Sequence, residues 1–389
     1  MKVRFWGVRG STPTPFRENL RYGGNTSCVE VRTPDDELFI FDCGTGLRQL
    51  GKSLVEEFGH RSVHAFIFLS HYHWDHIHGI PFFEPLYNPE NYFFFHSFPS
   101  HAQTVQAALE EQMSDPYFPV NMQAMAAHRH FYNLCNDALA YGASTLRTAQ
   151  LNHPQGCLGY RLECDGQTLV YATDNEPGDK DCDRRLRELS EGADVLIYDG
   201  QYTPLEYVNA KKGWGHSTWR EGVNVAKDAR VKNLVLFHHD PDHNDAFIDS
   251  IVHETSRYFP NVTAAAEGME LNLLPGGLRI GRFPAERRLD NRHPVNLPLV
   301  VHGRTREGLH FEEHTTLENI SLKGGYFLLK HDPDPRDEIN VHLRISPEAG
   351  GPLSEVSLKS RVVRMDEPQD DLARKGIAVT FQKIPFLHP

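Results

Sequence analysis

The sequence predicts an α/β domain followed by a small β-barrel, and three observations predict it. Strand-like apolar runs alternate with helix-like stretches over roughly the first 280 residues. One of those runs, Val63 to Leu69, feeds a loop, Ser70 to Gly79, that is crowded with histidine and aspartate. Pro275-Gly-Gly and Gly281-Arg-Phe-Pro mark a boundary, and beyond it the pattern changes to short strands and turns alone. The 389 residues suffice for two domains at about 100–200 residues each, placed at 1–280 and 285–389.

Composition narrows the classes. Hydrophobic residues make up 39% and charged residues 24%, as in an ordinary globular protein. No apolar run approaches about 18 residues, so no membrane span is expected. Met1-Lys-Val-Arg-Phe-Trp-Gly lacks the apolar core of a signal peptide. Six scattered cysteines without a C-x-x-C pair read as reduced core residues and a cytoplasmic location. The net charge is −12, and all but one of those excess charges precede Glu286. That balance argues against a broad nucleic-acid surface, so no extended nucleic acid is expected as a partner.

Taken in order, Lys2 to Phe5 reads as a strand, and glycines punctuate a long loop through Asn25-Thr-Ser. Cys28 to Arg32 and Glu37 to Asp42 are strands around the turn Thr33-Pro-Asp-Asp. Asp42-Cys-Gly-Thr-Gly then turns into a helix over Leu47 to Phe58. Next comes Ser70-His-Tyr-His-Trp-Asp-His-Ile-His-Gly79, with His71, His73, Asp75 and His76 in the order H-x-H-x-D-H. Burying one unpaired polar group costs roughly 2–7 kcal/mol. A divalent metal satisfies imidazole and carboxylate together. Four such groups are too many for one tetrahedral ion, so two ions are expected. His71 and His73 can reach one, Asp75 and His76 the other. A solvated His-rich loop is the bland alternative in a chain with 23 histidines. The ordered cluster behind a buried strand argues against it.

Tyr92 to His96 reads as a strand, His101 to Met113 as a helix, and Asn121 to Phe131 as loosely helical, with His128 and His130 as surface residues. Ser144 to Gln150 is a strand that delivers Leu151-Asn-His153. Cys157 to Cys164 and Gln167 to Tyr171 form a hairpin across Asp165-Gly166. It ends at Asp174, placed either to bridge two cations or to cap a helix. Ala193 to Tyr198 is a buried strand ending at Asp199. Gly215-His216-Ser-Thr precedes a helix over Trp219 to Ala229, with Thr218 and Glu221 spaced as a capping box. His216 therefore stands before a helix N-terminus, whose positive end suits a phosphate. Asn233 to Phe237 is the last core strand, before His238 and His239; a helix over Ala246 to Phe259 and strands at Val262 to Ala266 and Leu271 to Leu274 follow.

H-x-H-x-D-H after a buried strand resembles the signature of the metallo-β-lactamase fold hydrolases. The resemblance covers roughly residues 1–280 and implies an αββα sandwich with two metals at one edge. It implies that His71, His73 and His153 hold one ion, that Asp75, His76 and His238 hold the other, and that Asp174 bridges. The frame Leu-Val-Leu-x-His selects His238 over His239, with His243 a looser candidate. Gly-His216-Ser-Thr resembles the H-x-T motif of the ribonuclease Z-like, phosphodiesterase branch. There the histidine is catalytic and is oriented by an acid at the preceding strand end. Here that acid is Asp199, where the branch usually has Glu. The resemblance implies hydrolysis of a small phosphodiester or cyclic nucleotide. Asp75 would orient the attacking water, and His216 would protonate the leaving oxygen. Zinc suits the His-rich donor set best, and Mn or Fe also fit. A tRNA 3′-end endonuclease is the competing reading. It would need a basic RNA-gripping arm, whereas Arg184, Arg185 and Arg187 lie among several acids. β-Lactam or thioester hydrolysis leaves Gly-His-Ser-Thr unexplained.

The second domain reads as strands at Leu297 to Gly303, Gly308 to Thr316, Tyr326 to Leu329, Asn340 to Ile345, Ser357 to Met365 and Gly376 to Phe381. Arg287-Arg288-Leu-Asp-Asn-Arg292 and Asn319-Ile-Ser321-Leu-Lys-Gly324 flank its first strands. Together they resemble a PilZ domain, which implies cyclic di-GMP as a partner. Arg forks would take phosphates and stack on guanine, Asn319 and Ser321 would contact a base, and Gly324 would permit a tight turn. A reading of another class is a cyclic di-GMP-responsive adaptor whose hydrolase domain is a vestigial scaffold.

Overall fold

The computed structural model describes residues 1–99, 104–134, 138–282, 293–320, 324–334, 338–345, 354–368 and 374–381. The chain divides into two compact units, Met1–Ala285 and Glu286–Pro389.

The first unit stacks two sheets. One contains β1 (Lys2–Gly7), β2 (Cys28–Arg32), β3 (Leu38–Phe41), β4 (His64–Phe68), β5 (Tyr92–Ser97) and β6 (His128–Asn133), adjacent in that order. The other contains β7 (Ala138–Tyr141), β8 (Ser144–Leu151), β9 (Cys157–Cys164), β10 (Gln167–Ala172), β11 (Val195–Asp199), β12 (Leu234–Phe237) and β13 (Val262–Ala264), likewise in order. The chain then returns to the first sheet as β14 (Met269–Leu274) beside β1, with β15 (Gly277–Arg282) outside it. Between the sheets, Val3, Phe5, Phe39, Phe41 and Phe68 share a core with Tyr160, Tyr171, Ile197 and Phe237.

Each outer face is covered by helices. Of α1 (Leu47–Phe58), the single turn α2 (Trp74–Ile77) and α3 (Val105–Gln112), the first and third bury Leu47, Leu50, Val105 and Leu109 against Ile40, Ile67 and Phe93. On the second sheet lie α4 (Lys180–Ser190), the turn α5 (Pro204–Glu206), α6 (Trp219–Asp228) and α7 (Asp245–Ser256). Leu186, Val223, Ile248 and Ile251 pack there on Val170, Leu196 and Leu236. The result is an αββα sandwich. Covered on both faces, β11 (Val-Leu-Ile-Tyr-Asp) and β12 (Leu-Val-Leu-Phe) are buried at every position, as their unbroken apolar runs require. β10, β11 and β12 run parallel, so their carboxyl ends share one edge. In open α/β sheets that edge is where ligands bind.

Three local expectations are corrected. The segment 121–131 is not helical beyond one turn at Met122–Ala124; from His128 it is strand β6, parallel to β5. Ring stacking explains it: Tyr92 on His128 at 4.4 Å, Phe94 on His130 at 5.1 Å and His96 on Tyr132 at 4.8 Å. Cross-strand aromatic pairs of this kind override weak helical propensity. Pro275-Gly-Gly is a hairpin turn rather than a domain boundary, because β15 pairs with β14. Thr218 caps α6 by accepting from the Glu221 amide, yet the Glu221 carboxylate accepts from Arg187 and Asn224 instead of closing a box. The reciprocal box forms at Thr203 and Glu206, on α5.

The second unit is a closed barrel of β16 (His293–Arg304), β17 (His310–Ile320), β18 (Gly324–Leu329), β19 (Glu338–Ile345), β20 (Ser354–Pro368) and β21 (Lys375–Phe381). Leu299, Val301, Leu317, Phe327, Ile339, Val341 and Ile377 fill it. Gly324 lies within β18 opposite Thr380, not in a turn. A Cβ there would meet the Val379 carbonyl oxygen at 2.0 Å, so close strand approach is what requires glycine. The five described cysteines are free and buried. No helix among the described residues is long and apolar enough to cross a membrane.

Candidate metal centre and active site

Strand β3 ends at Asp42, held at φ 58° and fully buried. Its Oδ1 accepts from the Ser70 amide at 2.7 Å. Its Oδ2 accepts from the Ser70 hydroxyl at 2.8 Å, the Tyr171 hydroxyl at 2.7 Å and His76 Nδ1 at 2.8 Å. Asp42 thus fixes the loop after β4 and turns His76 Nε2 inward. The same device recurs with carbonyl oxygens. His238 Nδ1 lies 2.9 Å from Gln201 Oε1, and His153 Nδ1 lies 2.7 Å from the Gly215 carbonyl. His73 Nε2 lies 2.7 Å from Gln155 Oε1, which leaves its Nδ1 facing inward. Partners that bind one ring nitrogen set which one a metal would meet.

The inward atoms form two adjoining groups. His71, His73 and His153 make one; Asp75, His76 and His238 make the other. Asp174, at φ 53° just beyond β10, lies between them. Its Oδ1 is 3.8 Å from His71 Nε2 and 3.7 Å from His153 Nε2. Its Oδ2 is 3.3 Å from His76 Nε2 and 3.4 Å from His238 Nε2. Asp75 Oδ2 is 3.2 Å from both His76 Nε2 and His238 Nε2 and accepts the Ser11 amide at 2.7 Å.

These residues fit a pair of divalent cations. His76 Nε2 and His238 Nε2 face each other at 3.2 Å, an arrangement that needs a proton or a cation between them. His71 Nε2 is buried without a hydrogen-bond partner. Burial pushes the pKa of His71 well below its ordinary value and also lowers that of His153, so both stay neutral and able to ligate. Burial would lower His76 too, but Asp75, Asp174 and Asp42 around it raise it well above. The pocket therefore carries an excess of negative charge. Asp75 and Asp174 titrate well below the usual range: burial opposes this, and His76 and His238 outweigh burial.

His216 stands beside this group on the residue before Ser217-Thr218 and α6. Its Nδ1 is 3.1 Å from Asp199 Oδ2, and its ring stacks on His238 at 5.0 Å. Burial disfavours its charge, but Asp199 overcomes this and lifts the pKa to about 9. The held nitrogen is Nδ1, which also lies 3.6 Å from Asp174 Oδ1; Nε2 is the other ring nitrogen. Asp199 thus reaches His216 despite being one methylene shorter than Glu.

His239 and His243 lie outside both groups. His239 Nε2 bonds the Ala265 carbonyl at 2.9 Å, and burial drops its pKa to about 3. His243 Nε2 bonds Glu206 at 2.9 Å. Arg287, Arg288, Arg292 and Ser321 lie outside the described residues. Asn319 sits in β17 with its Oδ1 buried and without a hydrogen-bond partner among the described residues.

Sequence reasoning placed Asp42 only in a supporting turn and missed Gln155, Gln201 and the Ser11 amide. Arg9 was also missed. It is fully buried, donating to the carbonyls of Gly23 at 2.8 Å, Asp240 at 3.1 Å and His243 at 2.6 Å. Next to it, a Cβ on Gly10 would lie 2.5 Å from the His238 ring. Asp42-x-Gly and Asp199-Gly-Gln201 were the only available signals.

Known proteins bear on this geometry. Residues 38–239 match the family model described as the beta-lactamase superfamily domain, and residues 286–386 match the PilZ domain. The chain is 27% identical to a protein named ribonuclease Z from Methanosarcina acetivorans, across 70% of this chain and 98% of that protein. The metallo-beta-lactamase fold protein YhfI from Bacillus subtilis superposes with a TM-score of 0.53 at 21% identity, over 69% of this chain and 97% of that one. A diphosphatase from the PhnP family superposes with a TM-score of 0.51 at 17% identity, over 70% and 98%.

Proposed function

Because the chain belongs to the beta-lactamase superfamily and ends in a PilZ domain, we propose that this metal-dependent hydrolase is a phosphodiesterase whose barrel binds cyclic di-GMP. One observation carries the catalytic half: Asp174 turns one oxygen to each of two ligand groups, while His216 adjoins both and its Nδ1 pairs most closely with Asp199, at 3.1 Å. His71, His73 and His153 would hold one ion, Asp75, His76 and His238 the other, and Asp174 would join them. The imidazole majority favours zinc, with Mn or Fe also compatible. Two such cations supply Lewis acidity, activating water and neutralising charge on the phosphoryl oxygens.

The protein's own groups do the rest. Asp75, fixed by the Ser11 amide, orients the attacking water. His216 would deliver a proton to the leaving oxygen from Nε2, a contribution typically worth about 10²–10⁴-fold. Asp199 holds the ring for that transfer. In the barrel, Asn319 and Ser321 would contact a base and Arg287, Arg288 and Arg292 the phosphates, all assigned by motif.

The relative named ribonuclease Z favours a second reading, tRNA 3′-end cleavage. Against it, Arg187 is paired with Glu221 and Asp228, and Arg184 with Asp181 and Glu188, which leaves these arginines committed within the fold. The test is bound metal per chain and turnover of bis-p-nitrophenyl phosphate, with and without cyclic di-GMP, beside a precursor tRNA assay. The expected result is about two metals, diester turnover and no tRNA cleavage. His216→Ala should keep both metals and lose about 10²–10⁴-fold in kcat. Metal-free, inactive protein that still binds cyclic di-GMP would make the chain an adaptor instead.

A further inference from the structure

Between α5 and His216 the chain makes a π-helical turn, Tyr207–Lys211, followed by Lys-Gly-Trp-Gly. π turns are rare and often mark functional positions. This one is firmly seated. Glu176 Oε1 accepts from the Tyr207 hydroxyl at 2.9 Å and the Gly213 amide at 2.6 Å, and its Oε2 accepts from the Gly215 amide at 2.8 Å. Glu176 is in turn tied to Asn152, next to His153, through paired backbone and side-chain bonds at 2.7 Å. Gly215 itself holds His153 and has no room for a side chain: a Cβ would lie 2.4 Å from His153 Nδ1.

The turn holds a cation one ring away from His216. The Lys211 ammonium sits 4.3 Å from the Trp214 ring centroid and 5.3 Å from that of Tyr202. The Tyr202 ring is buried and meets the His216 ring edge-on at 6.0 Å. No carboxylate among the described residues pairs with Lys211. Trp214 is 57% exposed. Lys211 takes one part of the indole, and the exposed part is a flat surface one residue from Gly215. An unneutralised cation and an open aromatic face, both fixed beside the proton donor, match the two chemical parts of a nucleotide.

We propose that Lys211 and Trp214 are substrate-binding residues and that the substrate is a nucleotide-bearing phosphodiester. The base stacks on Trp214, and the Lys211 ammonium takes an anionic oxygen of the phosphate. This assignment rests on the phosphodiesterase reading and narrows its substrate class.

Two esters with one leaving group test it: thymidine 5′-p-nitrophenyl phosphate and methyl p-nitrophenyl phosphate, with the full metal-loaded chain. The wild type should favour the nucleoside ester. Trp214→Ala should narrow the ratio of the two kcat/KM values by about tenfold, chiefly through KM, and Trp214→Phe should retain most of it. Lys211→Met should raise KM for both esters, and Lys211→Arg should restore it. A second readout needs no turnover: in equilibrium dialysis, thymidine 5′-phosphate should bind chelator-treated wild type and Trp214→Phe, and bind Trp214→Ala about tenfold more weakly. A ratio unchanged in Trp214→Ala, with both esters still hydrolysed, overturns the inference and leaves the phosphodiesterase reading standing. Hydrolysis of neither ester by the wild type overturns that reading. Weaker dialysis binding in Trp214→Ala, with Trp214→Phe intact, would still support nucleotide recognition by this loop.

Discussion

Asp42 accepts four hydrogen bonds inside the protein, and one of them fixes His76. Asp42→Asn keeps the shape but places a donor among donors. Metal affinity should fall by about 10–100-fold, read by titration against a competing chelator. His96 offers a test of a different kind. Its Nδ1 donates to the Phe94 carbonyl at 2.9 Å, and its Nε2 accepts from Tyr141 at 2.8 Å, so the ring is held neutral. Burial drops its pKa to about 4, which the bond to Phe94 only partly offsets. Below its ordinary value near 6.5 the unfolded chain binds a proton that the folded chain refuses. The contribution to stability is therefore whole above about pH 6.5, declines toward pH 4 and is flat below it, on the order of 3 kcal/mol in all. In denaturant melts across this range, His96→Gln should have the shallower slope.

At the scale of elements, the sheet strands behind the site carry stability. Leu236 of β12 is buried among α6, α7 and β11 residues. Leu236→Ala should cost about 2–5 kcal/mol in urea unfolding, through lost burial and the cavity left behind. β12 was readable because a strand buried on both faces has to be apolar throughout. β6 was not, since His-Arg-His-Phe-Tyr-Asn has no clear period and owes its conformation to rings on β5. The same division runs through the site. Four groups within six residues, His71 to His76, announce themselves by spacing. Gln155, Gln201 and the Gly215 carbonyl do not, because each acts from a distant loop through a single common group. The Gly324 expectation failed for a related reason: glycine signals a need for space, and the sequence does not say whether a turn or a neighbouring strand creates it.

For the first unit as a whole, the loops around the proposed metal ligands are tied together by Arg9. One buried guanidinium joins the carbonyls of Gly23, Asp240 and His243, three segments far apart in sequence. Burial lowers its pKa, and one amino group, Nη2, lies buried without a partner among the described residues. Lysine can present its charge there but not a planar fork. A common hub means that these segments cannot loosen one at a time. In Arg9→Lys, backbone amides near residues 23–25 and 240–244 should exchange with deuterium faster, and in step with one another. Unequal acceleration would show that each loop is tethered on its own.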